Sequence, residues 1–289
     1  NVLHQHNIKN KTFSPQNKMR NFPKISIVTV TYNCVDTVEQ TICNVLKQTY
    51  PNIEYIVIDG ASTDGTKEVI EKYADKIAYW ISEPDKGIYD AMNKGIKVAT
   101  GEWILFRNSG DYFIKQSTVE DVFEWYEDHG EEIITGGMRE FEHNGYFDSF
   151  PHATSSEKYW DKARFPHPAT FIRCQVQKQN LYPEDLKIAG DFYFFCKMMI
   201  QGCRSVCYPH VIALFDGETG VSTKNRQQSF KEILYVIQLF GASPEDMRNL
   251  KKKYRRACWL CVLLKYIKKN RMLNRLYRKV KYPNWTSMP

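Results

Sequence analysis

The 289-residue chain has no apolar run of about 18 or more residues, so no segment is expected to span a bilayer. Residues 1–24 lack the apolar stretch of a signal peptide and read as a polar, mobile arm. No G-x-G-x-x-G follows the first strand-like run, and no G-x-x-x-x-G-K-[ST] occurs anywhere. The glycine-rich cradles that hold dinucleotides or the phosphates of ATP are therefore missing. Gly60 and Gly65 make a pair with Thr66, not a lysine, directly after it. The eight cysteines stand at positions 34, 43, 174, 196, 203, 207, 258 and 261. Cys203-x3-Cys207 and Cys258-x2-Cys261 lack His or Cys partners at finger-like spacing, so buried, reduced thiols in a cytosolic protein are expected rather than zinc. Acidic residues are absent from Arg248 to Lys281, where 14 Lys or Arg accumulate, and from residues 1–24, which hold 5. Beneath the overall charge of +7, residues 25–247 thus carry 21 basic residues against all 33 acids. An acidic body with a basic tail is expected.

What is present is a core. The apolar fraction of 43% suffices for one large α/β domain with an appendage, or for two small domains. Ile25–Thr31 is continuous and β-branched, which predicts a buried parallel strand. Val38, Ile42, Val45 and Leu46 place an apolar stripe on a helix over 37–48. Residues 55–58 form a second strand, ended by Asp59-Gly60. Ser62 or Thr63 then caps a helix over 65–74, with Asp64 in its first turn. A third strand over 77–81, a helix over 88–98 and a fourth strand over 103–106 follow. Such alternation predicts βαβ units and a doubly wound sheet. Beyond Asp111 the pattern loosens. A helix over 117–128, a strand over 132–135 and irregular strands over 138–150 are expected, with Gly136-Gly137 and Asn144-Gly145 as turns. A strand over 169–173, an aromatic-rich helix over 191–200 and one or two strands over 205–214 come next. The chain reads as helical from Gln227 almost to its end.

Four polar turns fall at successive strand ends: Tyr32-Asn33, Asp59-Gly60, Ser82-Glu83-Pro84-Asp85 and Asn108-Ser109-Gly110-Asp111. In an open α/β sheet ligands bind outside the carboxyl ends of the strands. A rim of oxygens there suits the N–H of a nucleobase and the hydroxyls of a ribose, while a carboxylate with a divalent cation suits a diphosphate. Asp111, on a turn that Gly110 makes permissive, is the candidate for that carboxylate.

Three stretches carry a resemblance. They are Ile25–Asn33; Gln48–Thr66, containing Asp59-Gly60-Ala61-Ser62-Thr63-Asp64-Gly65; and Ser82-Glu83-Pro84-Asp85-Lys86-Gly87-Ile88-Tyr89-Asp90-Ala91-Met92-Asn93-Lys94-Gly95. Residues 24–113 resemble the nucleotide-binding half of a family 2 glycosyltransferase. The branch is the one that builds bacterial capsule, colanic-acid-like and lipopolysaccharide repeat units. The resemblance implies a GT-A fold, a Rossmann-like mixed sheet flanked by helices, with 24–113 binding the nucleotide and 114–225 the acceptor. A flexible arm, 1–23, would precede it and a helical, basic amphipathic extension, 226–289, would follow. Thr31 and Tyr32 would lie near the base, Asp59 on the base or ribose, Asp85 on the nucleoside side and Asn108 in the donor rim. Asp111 would hold Mg²⁺ or Mn²⁺. Two departures stand out. Gly60 replaces the usual second Asp, leaving base recognition to Asp59, and the Asp-x-Asp motif keeps one carboxylate.

On the acceptor side, inverting transfer needs a base for the attacking hydroxyl. Asp191, in Ile188-Ala189-Gly190-Asp191-Phe192-Tyr193, resembles the family's base, and a helix N-cap is the other use of Asp there. Glu184 and Asp185 are runners-up. His167 could touch the diphosphate or metal, or simply precede a strand. Residues 215–222 resemble a loop that closes over the donor. In 250–282 apolar and basic residues interleave, with Trp259 and Tyr266, as on a helix lying on an anionic membrane. A packed helix with a basic face and a nucleic-acid contact are the alternatives, the last disfavoured by the acidic body. The expectation is an inverting enzyme moving sugar from a nucleoside-diphosphate sugar, UDP-linked by family habit, to a hydroxyl of a lipid-linked saccharide. It would sit in the cytoplasm, peripheral on the inner face of the cell membrane. A non-catalytic membrane- or partner-binding module of the same fold is the alternative.

Overall fold

The computed structural model describes residues 22–142, 145–151, 157–217, 220–253, 255–256 and 286–287. Its centre is β1 (Ile25–Thr31), every residue of which is buried. β1 pairs in parallel with β2 (Ile53–Asp59) on one side and with β4 (Trp103–Phe106) on the other, and β3 (Tyr79–Ser82) adds to β2. Beyond β4 the sheet turns antiparallel through β8 (Thr170–Arg173) and β6 (Ile133–Glu142), then β7 (Gly145–Ser149). The long β9 (Ser205–Asp216) runs parallel to β6 and pairs with the short β5 (Tyr112–Phe113).

Strand side chains alternate between two faces. Val28, Val30, Ile56, Ile58, Ile104 and Phe106 pack on one face with α3 (Ile88–Val98), α7 (Gly190–Ile200) and α9 (Arg226–Leu239). Ile25, Ile27, Tyr55, Val57, Trp103 and Leu105 pack on the other with α1 (Val35–Leu46), α2 (Thr66–Glu71) and α4 (Thr118–Trp125). Strands covered on both sides read as continuous apolar runs, which is why β1, β2 and β4 were legible.

Several boundaries differ from expectation. Gly136 and Gly137 lie inside β6, not in a turn; the pairing with β9 shifts register there, as at a β-bulge. The third strand begins at Tyr79, because residues 74–76 form a short 3₁₀ turn. The chain after 226 is not one helix. α9 stops at Leu239, Gly241 takes φ +86°, and helix resumes over 244–253. Thr286–Ser287, read as helical, instead forms β10, antiparallel to β7 at the sheet edge. Most of the expected membrane-lying stretch falls outside the described residues. Among the described residues no helix is long and apolar enough to cross a membrane, and the six cysteines are free thiols.

The amino ends of the central strands are tied by a buried carboxylate. Glu54 accepts from Ser26 Oγ at 2.6 Å, from Thr100 N at 2.7 Å and from Thr100 Oγ1, and pairs with Lys24 at 2.7 Å. Burial raises its pKa, but the bonds from Lys24, Ser26 and Thr100 outweigh it and lower the value from 4.5 to about 2. A depressed folded pKa stabilises the fold above the unfolded value and loses that contribution as pH falls toward the folded one. Glu54→Gln should therefore lower Tm at pH 7, with the gap to wild type closing between pH 4.5 and 2. Thermal melts across that range check it, and a gap independent of pH would contradict it.

Candidate active site

At the opposite end, the carboxyl ends of β1 to β4 form one edge, and side chains lock its loops. Asn33, at φ +50°, takes the left-handed geometry Asn tolerates. Its N–H donates to Ser62 Oγ at 2.8 Å and its Oδ1 accepts from Thr63 N at 2.9 Å. Asp64 accepts from Val35 N and Thr66 N, both at 3.0 Å, so it bridges the starts of α1 and α2. Ser62 and Thr63 do not cap α2; Gly65, at φ +100°, occupies that position. Ser62 is used otherwise. It donates to Asp59 through both its N–H, at 3.0 Å, and its hydroxyl.

Asp59 is fully buried, and its Oδ2 also accepts from Ser82 Oγ at 2.6 Å. Asp85 is half-buried and sits beside it. Its Oδ1 accepts from Gly87 N at 2.9 Å, and its Oδ2 lies where a side chain on residue 60 would stand. A Cβ on Gly60 would come within 2.3 Å of Asp85 Oδ2 and 3.2 Å of the Tyr32 ring. Burial raises the Asp85 pKa, with Asp90 and Asp59 adding to it, against the Gly87 bond and Lys94. Tyr32 is 61% exposed, a flat ring at the mouth of this corner.

The β4 turn is fixed by α1. Gly110 N donates to Thr41 Oγ1 at 3.0 Å, Ser109 Oγ meets Thr37 Oγ1 at 3.1 Å, and Asn44 brackets Phe113 through its N–H and carbonyl. Asp111 is 6% exposed, and its N–H bonds Asn108 O at 2.9 Å. Burial pushes its carboxyl up to about 7, against the attraction of Arg107. Arg107 received no role from the sequence, although a cation at the end of an apolar strand was a signal. It is fully buried, its guanidinium 3.9 Å over the Phe113 ring, and burial brings its pKa down to about 10. One bond, to Tyr112 O at 3.3 Å, holds it. Among the described residues, Arg107 Nε and Nη2, Thr31 Oγ1 and Asn108 Oδ1 are buried without a partner. Buried polar groups are nearly always satisfied, so such a cluster where two parallel strands end asks for a ligand.

A second set faces this edge from the acceptor half. Asp191 is the second residue of α7; Ala189 holds the N-cap position, so the capping role does not apply. Its Oδ1 accepts from Phe192 N at 2.8 Å and from the Tyr89 hydroxyl at 3.1 Å. The same hydroxyl bonds Ile188 O at 2.7 Å. His167 is buried. Its ring stacks on Phe106 with centroids 5.1 Å apart, and its Nε2 meets Tyr182 Oη at 2.8 Å. Burial lowers its pKa, so the imidazole is neutral near pH 7. Asn93 and Tyr182 exchange two bonds of 2.9 Å, between the Asn93 side chain and the Tyr182 backbone. Among the described residues no three His, Cys, Asp or Glu gather as metal ligands, so Asp111 and His167 do not complete a protein-only cage. The oxygens of Asp111 and Asn108 are hard donors that fit Mg²⁺ or Mn²⁺ if a diphosphate supplies the rest. Glu184 pairs with Lys86 at 3.2 Å and Asp185 is exposed. Of the expected donor loop, Phe215 and Asp216 belong to β9, residues 218–219 lie outside the described residues, and α8 (Val221–Lys224) follows.

The family model for Glycosyl transferase family 2 matches residues 26–199, which spans both sets. This chain belongs to glycosyltransferase family 2. An uncharacterized glycosyltransferase of Mycobacterium tuberculosis is 31% identical over 244 residues, 82% of this chain and 92% of its own. The poly(ribitol-phosphate) beta-N-acetylglucosaminyltransferase TarS of Staphylococcus aureus is 28% identical over 191 residues, 63% of this chain and 33% of its own. The crystal structure of a TarS fragment with UDP-GlcNAc covers 78% of this chain and 69% of that one, at 22% identity and a TM-score of 0.60. The mannosyltransferase PcManGT of Pyrobaculum calidifontis, in complex with GDP-Man and Mn²⁺, covers 80% of this chain and 68% of its own, at 18% identity and a TM-score of 0.60. These two likenesses show the glycosyltransferase fold, the α/β mixed sheet flanked by helices.

Replacing both members of a buried charged pair by apolar residues is often stabilising by roughly 1–4 kcal/mol, whereas removing one leaves the other uncompensated and costs about 3–5 kcal/mol. Arg107 is the cation whose attraction opposes the burial of the Asp111 carboxylate, so Arg107→Met should lower the urea midpoint at pH 8 and lower sugar turnover. An unchanged or higher midpoint would mean that Arg107 does not compensate Asp111 in the empty protein.

Proposed function

We propose that this enzyme transfers a sugar, with inversion, from a UDP-sugar to a hydroxyl of a lipid-linked saccharide in cell-surface polymer synthesis. The observation that carries the reading is the cluster of partnerless buried groups, Thr31 Oγ1, Asn108 Oδ1 and the Arg107 nitrogens, at the carboxyl ends of β1 and β4. The likeness to TarS, which binds UDP-GlcNAc, supports the donor class and the polymer setting.

The base stacks on Tyr32 and gives its ring N–H to Asp85, whose carboxylate stands where Gly60 leaves room. Asp59, buried under Ser62 and Ser82, buttresses that corner rather than touching the base. Asp111 and Asn108 would hold Mg²⁺ or Mn²⁺, as suits a fold shared with PcManGT, whose structure carries Mn²⁺ with GDP-Man. The cation would supply positive charge for the departing nucleoside diphosphate. Arg107 adds a second positive charge beside Asp111. Asp191, oriented by Tyr89, takes the proton of the attacking hydroxyl. We place His167 with the ring cluster that carries Tyr182, not among the metal ligands. The basic stretch after Arg248 would hold the enzyme peripherally on the cytoplasmic face of the membrane, where lipid-linked acceptors lie. That stretch lies mostly outside the described residues, so the test is flotation of the full chain and of a chain ending at 247 with anionic liposomes. Equal flotation of the two contradicts the membrane reading.

Donor hydrolysis with Mn²⁺ across a panel of nucleotide sugars tests the function. Consumption of a UDP-sugar is expected, and inertness to the whole panel would overturn the reading. Asp111→Asn and Asp191→Asn should each reduce transfer at least about a hundredfold while keeping the far-UV circular dichroism of the folded protein. Gly60→Ala pushes Asp85 aside and should weaken UDP binding by about tenfold or more in calorimetry, the scale of one lost bond to a charged group. Unchanged UDP affinity would remove Asp85 from base recognition.

A further inference from the structure

Glu232 lies on α9, beyond the residues that the family model matches. It is an acid on a helix, yet only 6% exposed, and no basic side chain pairs with it among the described contacts. Its partners are amides. Oε2 accepts from Ile188 N at 2.8 Å, Ala189 N at 2.9 Å and Lys187 N at 3.1 Å. Oε1 accepts from Lys187 N at 3.1 Å and from Gln228 Nε2 at 2.8 Å. Three consecutive backbone N–H groups thus converge on one carboxylate just before α7. Burial alone would raise the pKa of Glu232, but these bonds outweigh it and lower the value, so the group is ionised at neutral pH. A negative charge there also complements the positive end of the α7 dipole.

The segment so held is gripped from the other side as well. Ile188 gives its N–H to Glu232 and receives the Tyr89 hydroxyl on its carbonyl, and that hydroxyl also reaches Asp191. Lys187 Nζ bonds Lys86 O at 2.8 Å. Gly190 leaves no slack, since a Cβ there would lie 2.8 Å from the Tyr89 ring. The peptide leading into Asp191 is clamped between α9 and α3.

We infer that Glu232 is a positioning residue for the reaction: from outside the matched domain it fixes residues 187–189 and so sets where Asp191 meets the acceptor hydroxyl. The inference rests on Asp191 being the base. Misplacing a reacting group by about 1 Å can cost on the order of a hundredfold in rate. Loss of the cradle should therefore appear in kcat and not in donor binding, because Glu232 touches no residue of the nucleotide rim.

The test uses the full chain and four forms: wild type, Asp191→Asn, Glu232→Gln and Glu232→Asp, with Glu232→Ala where it folds. Turnover is measured with the UDP-sugar the wild type consumes, UDP-GlcNAc first. It is normalised to UDP-binding sites counted by calorimetry, so that unfolded protein does not register. Glu232→Asp keeps the charge but shortens the reach by one methylene, and should lower kcat about tenfold or more with donor KM and UDP affinity within about twofold. Glu232→Gln retains an amide oxygen for the three N–H groups and should recover most of the rate. Glu232→Asp and Glu232→Ala at wild-type kcat per site, beside an inactive Asp191→Asn, would overturn the inference and leave the base reading standing. A rate loss matched by an equal loss of UDP affinity would make Glu232 a general structural residue. An active Asp191→Asn removes the base reading, and this inference falls with it.

Discussion

The site depends on the double parallel pairing of β1. Thr31 is in register with Asp59 on β2, while β4 ends opposite Val28 and its polar turn runs on beside the last residues of β1, with Arg107 N on Val28 O and Ser109 N on Val30 O. The polar groups of these strand ends are delivered to one edge, while the amino ends close over the Glu54 cluster at the other. Sheet pairing sets these positions before any loop contributes. The loops then need only to be pinned, which Asn33, Ser62, Asp64, Thr37 and Thr41 do through bonds from side chain to backbone or to one another.

That edge holds charge in an unusual balance. Asp111 and Arg107 share a buried space without a direct ion pair, and burial drives each toward its neutral form while their mutual attraction opposes it. A polar ligand with its own charges satisfies such a site better than water-excluding apolar packing does. The acceptor side is built on the opposite principle. His167, Tyr182, Phe106, Tyr89 and Phe194 form a ring cluster with most polar atoms matched, a stiff wall against which Asp191 is set.

The sequence was most readable where one physical cause dominated. The parallel strands show as β-branched runs because both faces are covered. The strand-end turns show because Gly, Asp and Asn mark them. Reading failed where two causes compete. Gly136-Gly137 looks like a turn, yet a bulge uses the same residues within a strand. Ser62 has the chemistry of a helix cap, yet Asp59 is a nearer partner for its hydroxyl. Glu232 looks like any acid on a solvated helix face, since nothing local shows that three amides from forty residues earlier will meet it. Thr286 and Ser287 follow a long basic stretch, and no local signal announces their pairing with Tyr146 and Gly145.

The segment Ser82–Gly95 faces two ways. Ser82 and Asp85 look toward Asp59, Gly60 and Tyr32, while Tyr89 and Asn93, on the first turns of α3, look toward residues 182–191. Asp85 stands just before α3 and Tyr89 in its first turn, and Gly87, the N-cap at φ +136°, is the joint between them. With Asp85 at the nucleoside as proposed, one short element both meets the donor and, through the Tyr89 hydroxyl, touches the acceptor-side carboxylate, so the two ends of the cleft share a single structural part.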